Sequence, residues 1–200
     1  MPATRAVPQT VVLFEGRSDS LAFRALARRR AVRLDRHGLV LIDLDGITNL
    51  RRALTGLRDA DASARLLGLY DAAESAYVTR VLADLGMLGD ARAGPVDVGF
   101  FGCERDLEDE VIRAAGVQLT LQTLEARGEL ARFRVFQDQP AQRERSIEQQ
   151  LHRFAGTASG RKARFAADVI DVLPPERAPR PLVRLLDAVD AVGGGATPVR

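Results

Sequence analysis

Glu15 ends the apolar run Val11-Val12-Leu13-Phe14, Gly16 follows it, and Asp19 stands close behind. An apolar run closed by an acid and a glycine reads as a buried strand that delivers a carboxylate at its C-terminal tip, then turns tightly into a helix. Open α/β sheets place their chemistry at that end of their strands. Asp19, in the first helical turn, can point back to the same spot. Two converging carboxylates repel each other unless a cation lies between them, so a divalent metal is the economical occupant. Mg²⁺ typically takes one or two carboxylates and completes its shell with water and substrate phosphate.

Three other groups of residues have chemistry to offer. Asp71 closes the run Leu66–Tyr70, with Glu74 three positions later. That pair also fits an N-cap with its capping-box partner, and the two readings are compatible. The acidic run from Glu104 to Glu110 opens a helix, where negative charge suits the N-terminal end. Lys162 is the only lysine in a chain whose other cations are arginines; its compact ammonium can serve one phosphoryl oxygen as a point charge. It closes the stretch Gly156-Thr157-Ala158-Ser159-Gly160-Arg161-Lys162, which hints at a phosphate-binding loop. The second glycine comes one residue early, no strand precedes it, and Ala163 stands where a metal-binding Ser or Thr belongs. The stretch is therefore not a nucleotide site, and no organic cofactor site is expected.

Two hundred residues fit one domain, or one domain with a small appendage. The net charge of +2 is too small to argue nucleic-acid binding by itself. The single Cys103 excludes an internal disulfide and a cysteine-based zinc site. His37 and His152 are far apart in sequence, which argues against a transition-metal cluster. No run approaches the ~18 apolar residues of a membrane span, and the start of the chain lacks the apolar segment of a signal peptide. A cytoplasmic protein without membrane contact is the expectation.

Several elements must position these residues. The patterns predict strands ending near Phe14, over Leu39–Ile42, over Leu66–Tyr70 and over Val96–Phe101, separated by helices. Strand and helix alternating at short spacing imply βαβ units and a mostly parallel sheet flanked by helices. From Thr120 onward the strands stop, and 120–155, 159–172 and the segment near Leu182–Val192 look helical. This gives a lead-in over 1–9, an α/β domain over 10–118, a helical C-terminal part over 119–192 packed on that domain or completing it, and a flexible tail over 193–200. The helical part can pack equally on the sheet or on a second copy of the chain, so a homo-oligomer is one outcome.

Together, Glu15-Gly16-x-x-Asp19, the segment Gly46-Ile47-Thr48-Asn49 after the second strand, and Asp71 after the third resemble a topoisomerase–primase (TOPRIM) domain, which has a Rossmann-like fold. More narrowly, the segments FFGCERDLEDEVIRAAG and SGRK make the chain similar to the TOPRIM domain of OLD-type (overcoming lysogenization defect) ATP-dependent nucleases, here as a stand-alone chain. The resemblance covers about residues 10–185. It implies cleavage of DNA phosphodiesters with Mg²⁺ or Mn²⁺, in a scheme where two ions about 4 Å apart activate a water and stabilise the leaving oxygen. Glu15, Asp19 and Asp71 would hold metal, with Glu15 also catalytic, and Lys162 would stabilise charge at the scissile phosphate. Glu104 or Glu108 would complete the second site. A helix covering both would put them on one face; the position after a strand favours Glu104, the family's Leu-Glu pattern Glu108. Two departures accompany the match. Ala73 stands where the family's second Asp belongs, leaving Glu74 as the nearest substitute, and no intact ATPase motif is present, so a separate ATPase subunit would have to supply it unless the domain acts alone.

Two other functions compete with the nuclease. One is a non-catalytic TOPRIM-like module that binds DNA or regulates a partner, which Ala73 favours. The other starts from Asp43-Leu44-Asp45-Gly46-Ile47-Thr48, which resembles the nucleophile motif of haloacid-dehalogenase-type phosphohydrolases. In that reading Asp43 attacks phosphorus and Asp45 acts as acid and base.

Overall fold

The computed structural model describes residues 9–90 and 92–191. Residues 1–8 of the expected lead-in, and the expected tail, lie outside them. The chain runs β1 (Thr10–Phe14), α1 (Arg17–Arg29), β2 (Leu39–Asp43), α2 (Leu50–Ala60), β3 (Arg65–Tyr70), α3 (Ser75–Asp84) and β4 (Phe100–Gly102). The helices α4 (Leu107–Ala126), α5 (Leu130–Gln137), α6 (Ile147–Ala155), α7 (Ser159–Val172) and α8 (Arg180–Asp190) follow. The four strands are parallel in the order β2-β1-β3-β4, as the alternation of strand and helix implied.

Every residue of β1 is buried, as a central strand covered on both faces requires. Alternation of side chains along the strands then divides the apolar residues between two cores. Val12, Phe14, Leu67, Leu69 and Phe101 face α1 and the later helices. Val11, Leu13, Leu66 and Phe100 face Leu50 and Leu54 of α2 and Val78, Val81 and Leu82 of α3. Phe14 and Phe23 meet with ring centroids 5.3 Å apart, fixing α1 against the strand that precedes it. Truncating Phe23, which is fully buried, removes that anchor at a cost of about 3–5 kcal/mol.

The fourth strand differs from its expected span. Pro95–Val98 form a 3-10 turn instead, because the Asp97 carboxylate accepts the Gly94 N–H at 2.8 Å and proline suits the first turn of a helix. Gly99, at φ 88°, caps that turn, and only Phe100–Gly102 pair with β3. The expected helical stretch 120–155 is three pieces, broken after Arg127 by Gly128 at φ 68° and by the turn at Pro140. α4 is itself kinked at Gly116, whose φ of 73° lies outside the helical region. The later helices share one core with α1 and the sheet, and α7 lies along α1. That packing carries the beginning of α7 to the C-terminal end of the strands.

Candidate functional site

The parallel register, Phe14 opposite Asp43 and Leu13 opposite Gly68, brings the strand tips to one end of the sheet. A cleft of about 430 Å³ opens there, with Glu15, Asp19, Asp71 and Glu108 in its wall and Lys162 facing them. Each arrives on a different support. Glu15 leaves β1, Asp19 sits in the first turn of α1, Asp71 leaves β3, Glu108 begins α4 and Lys162 lies in the first turns of α7.

Local hydrogen bonds set the geometry. The Asp19 carboxylate accepts the Gly16 N–H at 3.1 Å, which closes the turn between β1 and α1. Ser18 donates to Glu108 at 2.8 Å and so ties the start of α1 to the start of α4. The Asp71 side chain makes no capping bond to the turn that follows it, so the capping-box alternative is not the one the chain adopts.

The electrostatics follow from burial. Burial first, then the charge of Glu108, then Asp71 and Glu15 push the Asp19 carboxyl up to about 8, against the Gly16 hydrogen bond. Burial, then Glu15, Asp106 and Glu108 push Asp71 up to about 7. Glu15 is raised by burial and by Glu74, and lowered in part by the Lys162 ammonium. Three acids at one spot thus share a shortage of positive charge that a cation would relieve.

The donor set is carboxylate oxygen, which suits a hard cation such as Mg²⁺ or Mn²⁺. Among the described residues no three ligating groups are already gathered closely enough to form a complete cage. An ion held here would need water or substrate oxygens in its shell, and that is the way Mg²⁺ is usually bound.

Of the other sequence candidates, Glu74 acts on Glu15 electrostatically but does not line the cleft. Glu104 is elsewhere: α4 begins only at Leu107, so helical spacing does not relate Glu104 to Glu108. Its carboxylate is exposed and paired with Arg113 at 2.6 Å. Asp43 and Asp45 line a separate depression beside α2, away from Lys162. Ala73 lies exposed in the turn after Asp71.

Two residues in the cleft wall escaped the sequence reading. His152 of α6 places Nε2 2.7 Å and 3.0 Å from the two carboxylate oxygens of Asp106. Asp106 also accepts the Asp109 N–H at 2.8 Å as the N-cap of α4. An Asp just before an acidic helical turn is a legible capping signal. Nothing in the sequence pairs it with a histidine on another helix.

Residues 9–67 match the family model described as the TOPRIM domain of overcoming lysogenization defect protein-like proteins. No curated protein matches the chain in sequence. Among solved structures, the C-terminal region of the Xanthomonas campestris pv. campestris OLD protein is similar, with a TM-score of 0.64 and 20% identity, covering 94% of this chain and 98% of that one. The C-terminal region of the Burkholderia pseudomallei OLD protein also has a TM-score of 0.64, at 18% identity, covering 93% and 99%. Residues 9–67 thus resemble an OLD-like TOPRIM domain in sequence, and the chain that carries them has the fold of the C-terminal region of OLD proteins.

Proposed function

We propose that the chain is a divalent-metal-dependent DNA endonuclease of TOPRIM type. The observation that carries this reading is the convergence of Glu15, Asp19, Asp71 and Glu108 on one cleft that also holds Lys162. Such acids suit cation binding, and an ammonium beside them suits a phosphoryl oxygen. In this reading Asp19, Asp71, Glu108 and Glu15 hold one or two Mg²⁺ or Mn²⁺ ions, with Glu74 acting on Glu15 through its charge. When bound, the metal supplies Lewis-acid polarisation of the phosphate and lowers the pKa of water.

The chain's own groups do the rest. Lys162 donates to a non-bridging oxygen of the scissile phosphate, and the first turn of α7 adds its free N–H groups and positive end. Glu15 accepts the proton of the attacking water as the new P–O bond forms. The ester P–O bond then breaks, and solvent returns a proton to the leaving oxygen. The α/β part over 10–118 supplies the acids and the helical part over 119–192 supplies Lys162, so both are needed for activity.

A second reading has support from Ala73: a TOPRIM-like module that binds metal and DNA without cutting. The test is nicking of supercoiled plasmid in Mg²⁺ or Mn²⁺, with an EDTA control and Glu15→Gln. The nuclease reading expects nicking that requires both metal and Glu15. Metal-induced stabilisation without any nicking would leave the binding module instead.

A further inference from the structure

The cleft sets five acids, Glu15, Asp19, Asp71, Asp106 and Glu108, against the cations Arg17 and Lys162. Even with protons held on Asp19 and Asp71, the remaining acids outnumber those cations, so the surface disfavours a phosphodiester backbone, and metal at the scissile phosphate answers only locally. Protein affinity for nucleic acid comes mainly from cations that neutralise backbone phosphates. Those cations must therefore lie beside the cleft rather than in it.

A second depression, of about 370 Å³, adjoins the cleft and shares His152 and Gly156 with it. Arg105 and Arg153 line it, and no carboxylate does so among the described residues. Arg153, in the last turn of α6, is exposed and forms no ion pair among the described residues. Arg105 reaches Asp109 at 3.4 Å and Asp106 at 3.9 Å, both long contacts, and its side chain stays 57% exposed, so a phosphate can compete for it. Between the two hollows stands the His152 ring, held by Asp106, which is itself anchored as the α4 cap. The chain changes from acidic to basic surface across one fixed side chain.

We infer that the depression lined by Arg105, His152 and Arg153 is a backbone subsite, which takes DNA phosphates flanking the one held at the carboxylates. This rests on the nuclease reading for its direction, since the strand must continue out of the cleft. Arg105 and Arg153 pair with phosphate oxygens, and guanidinium geometry suits that task. The pinned His152 ring sets the level at which the strand crosses from one hollow to the other.

The competing path runs along the opposite side of α7, where Arg127 and Arg164 line another depression. There Arg127 is engaged by Asp168 at 2.8 Å. The two paths separate in one experiment: binding of a fluorescent single-stranded DNA 20-mer by the full chain, in Mg²⁺ and across a salt series. Glu15→Gln is the background, so that cleavage does not intervene. The expected result is a roughly tenfold or greater loss of affinity in Arg105→Gln/Arg153→Gln. The slope of log K against log salt should fall by about 1.4, at about 0.7 for each lost single-strand contact. The charge-keeping pair Arg105→Lys/Arg153→Lys should restore most of that slope, and equal melting temperatures would show all variants folded.

Unchanged affinity and slope in the glutamine pair would overturn the inference. So would an equal or larger loss in Arg164→Gln. A background protein that binds no DNA at low salt overturns it as well, whereas the nuclease reading stands or falls separately on plasmid nicking by the unsubstituted chain.

Discussion

Three acidic strand tips lie at the same end of this sheet, and the two central ones have become something different from the third. At the tips of the central strands β1 and β3, Glu15 and Asp71 are partly buried under α4 and α7, with a lysine across from them. At the tip of the edge strand β2, Asp43 and Asp45 are exposed beside α2. On sequence alone all three tips carry acids after an apolar run. The difference lies in what roofs them. A central strand is covered on both faces, so its tip is crowded by neighbouring turns and helices, while an edge tip opens to water.

The largest expected effect tests that contrast directly. Glu15→Gln should reduce metal-dependent DNA cleavage by three orders of magnitude or more, about 4 kcal/mol in transition-state terms. Asp43→Asn should leave it within about twofold. Comparable losses in a plasmid-nicking time course would erase the distinction between the tips.

Metal affinity sharpens it further. Glu108→Gln should weaken Mg²⁺ or Mn²⁺ binding by about ten- to a hundredfold in calorimetry, in the range of lost supporting groups at metal sites. Glu104→Gln, remote and paired with Arg113, should not change it. The opposite order would move the second acidic contact to the loop before α4.

The raised carboxyls predict a pH dependence of known sign. Asp19 at about 8 and Asp71 at about 7 hold protons more tightly in the folded chain than in the unfolded one. Their contribution to metal-free stability is therefore full below about pH 4, the ordinary carboxylate value, and lost as pH rises through 7 and 8. Added Mg²⁺ must displace those protons, so its affinity should increase between pH 6 and 8 by up to about tenfold per pH unit for each proton released. Asp19→Asn should raise the metal-free melting temperature at pH 8 by about 2–8 °C, taking about 1–2 kcal/mol and the usual slope for this chain length. It should also abolish most of the metal-induced rise. A metal-free melting temperature that climbs between pH 6 and 8 would contradict the burial of these acids.

The smallest effect concerns Glu74. Because it touches the site only through its charge on Glu15, Glu74→Gln should change cleavage by no more than about threefold. Its clearest sign would be a modest acid shift of the low-pH limb of the rate profile, since losing Glu74 lowers the pKa of Glu15.

The sheet strands with continuous apolar runs were legible because their periodicity is local. Leu39–Ile42 and Leu66–Tyr70 fall within a residue of β2 and β3. Val96–Phe101 misled, since Pro95 and the Asp97 cap turn an apolar run into a 3-10 turn. The break at Gly116 inside α4 gave no sign in composition.

By itself, the sequence determined the parallel α/β class, the strand-end acids Glu15 and Asp71, and Asp19 one helical turn into α1. These follow from near-neighbour geometry, in which a few residues set where each side chain points. Tertiary structure alone decided that Glu108 rather than Glu104 faces those acids and that His152 meets Asp106 across two helices, and it supplies the α7 packing that brings Lys162, which the resemblance implied, to the same cleft. Such meetings depend on how the later helices pack over one shared core. The interactions that choose that packing are non-directional apolar contacts spread over many residues, and no local spacing records their sum.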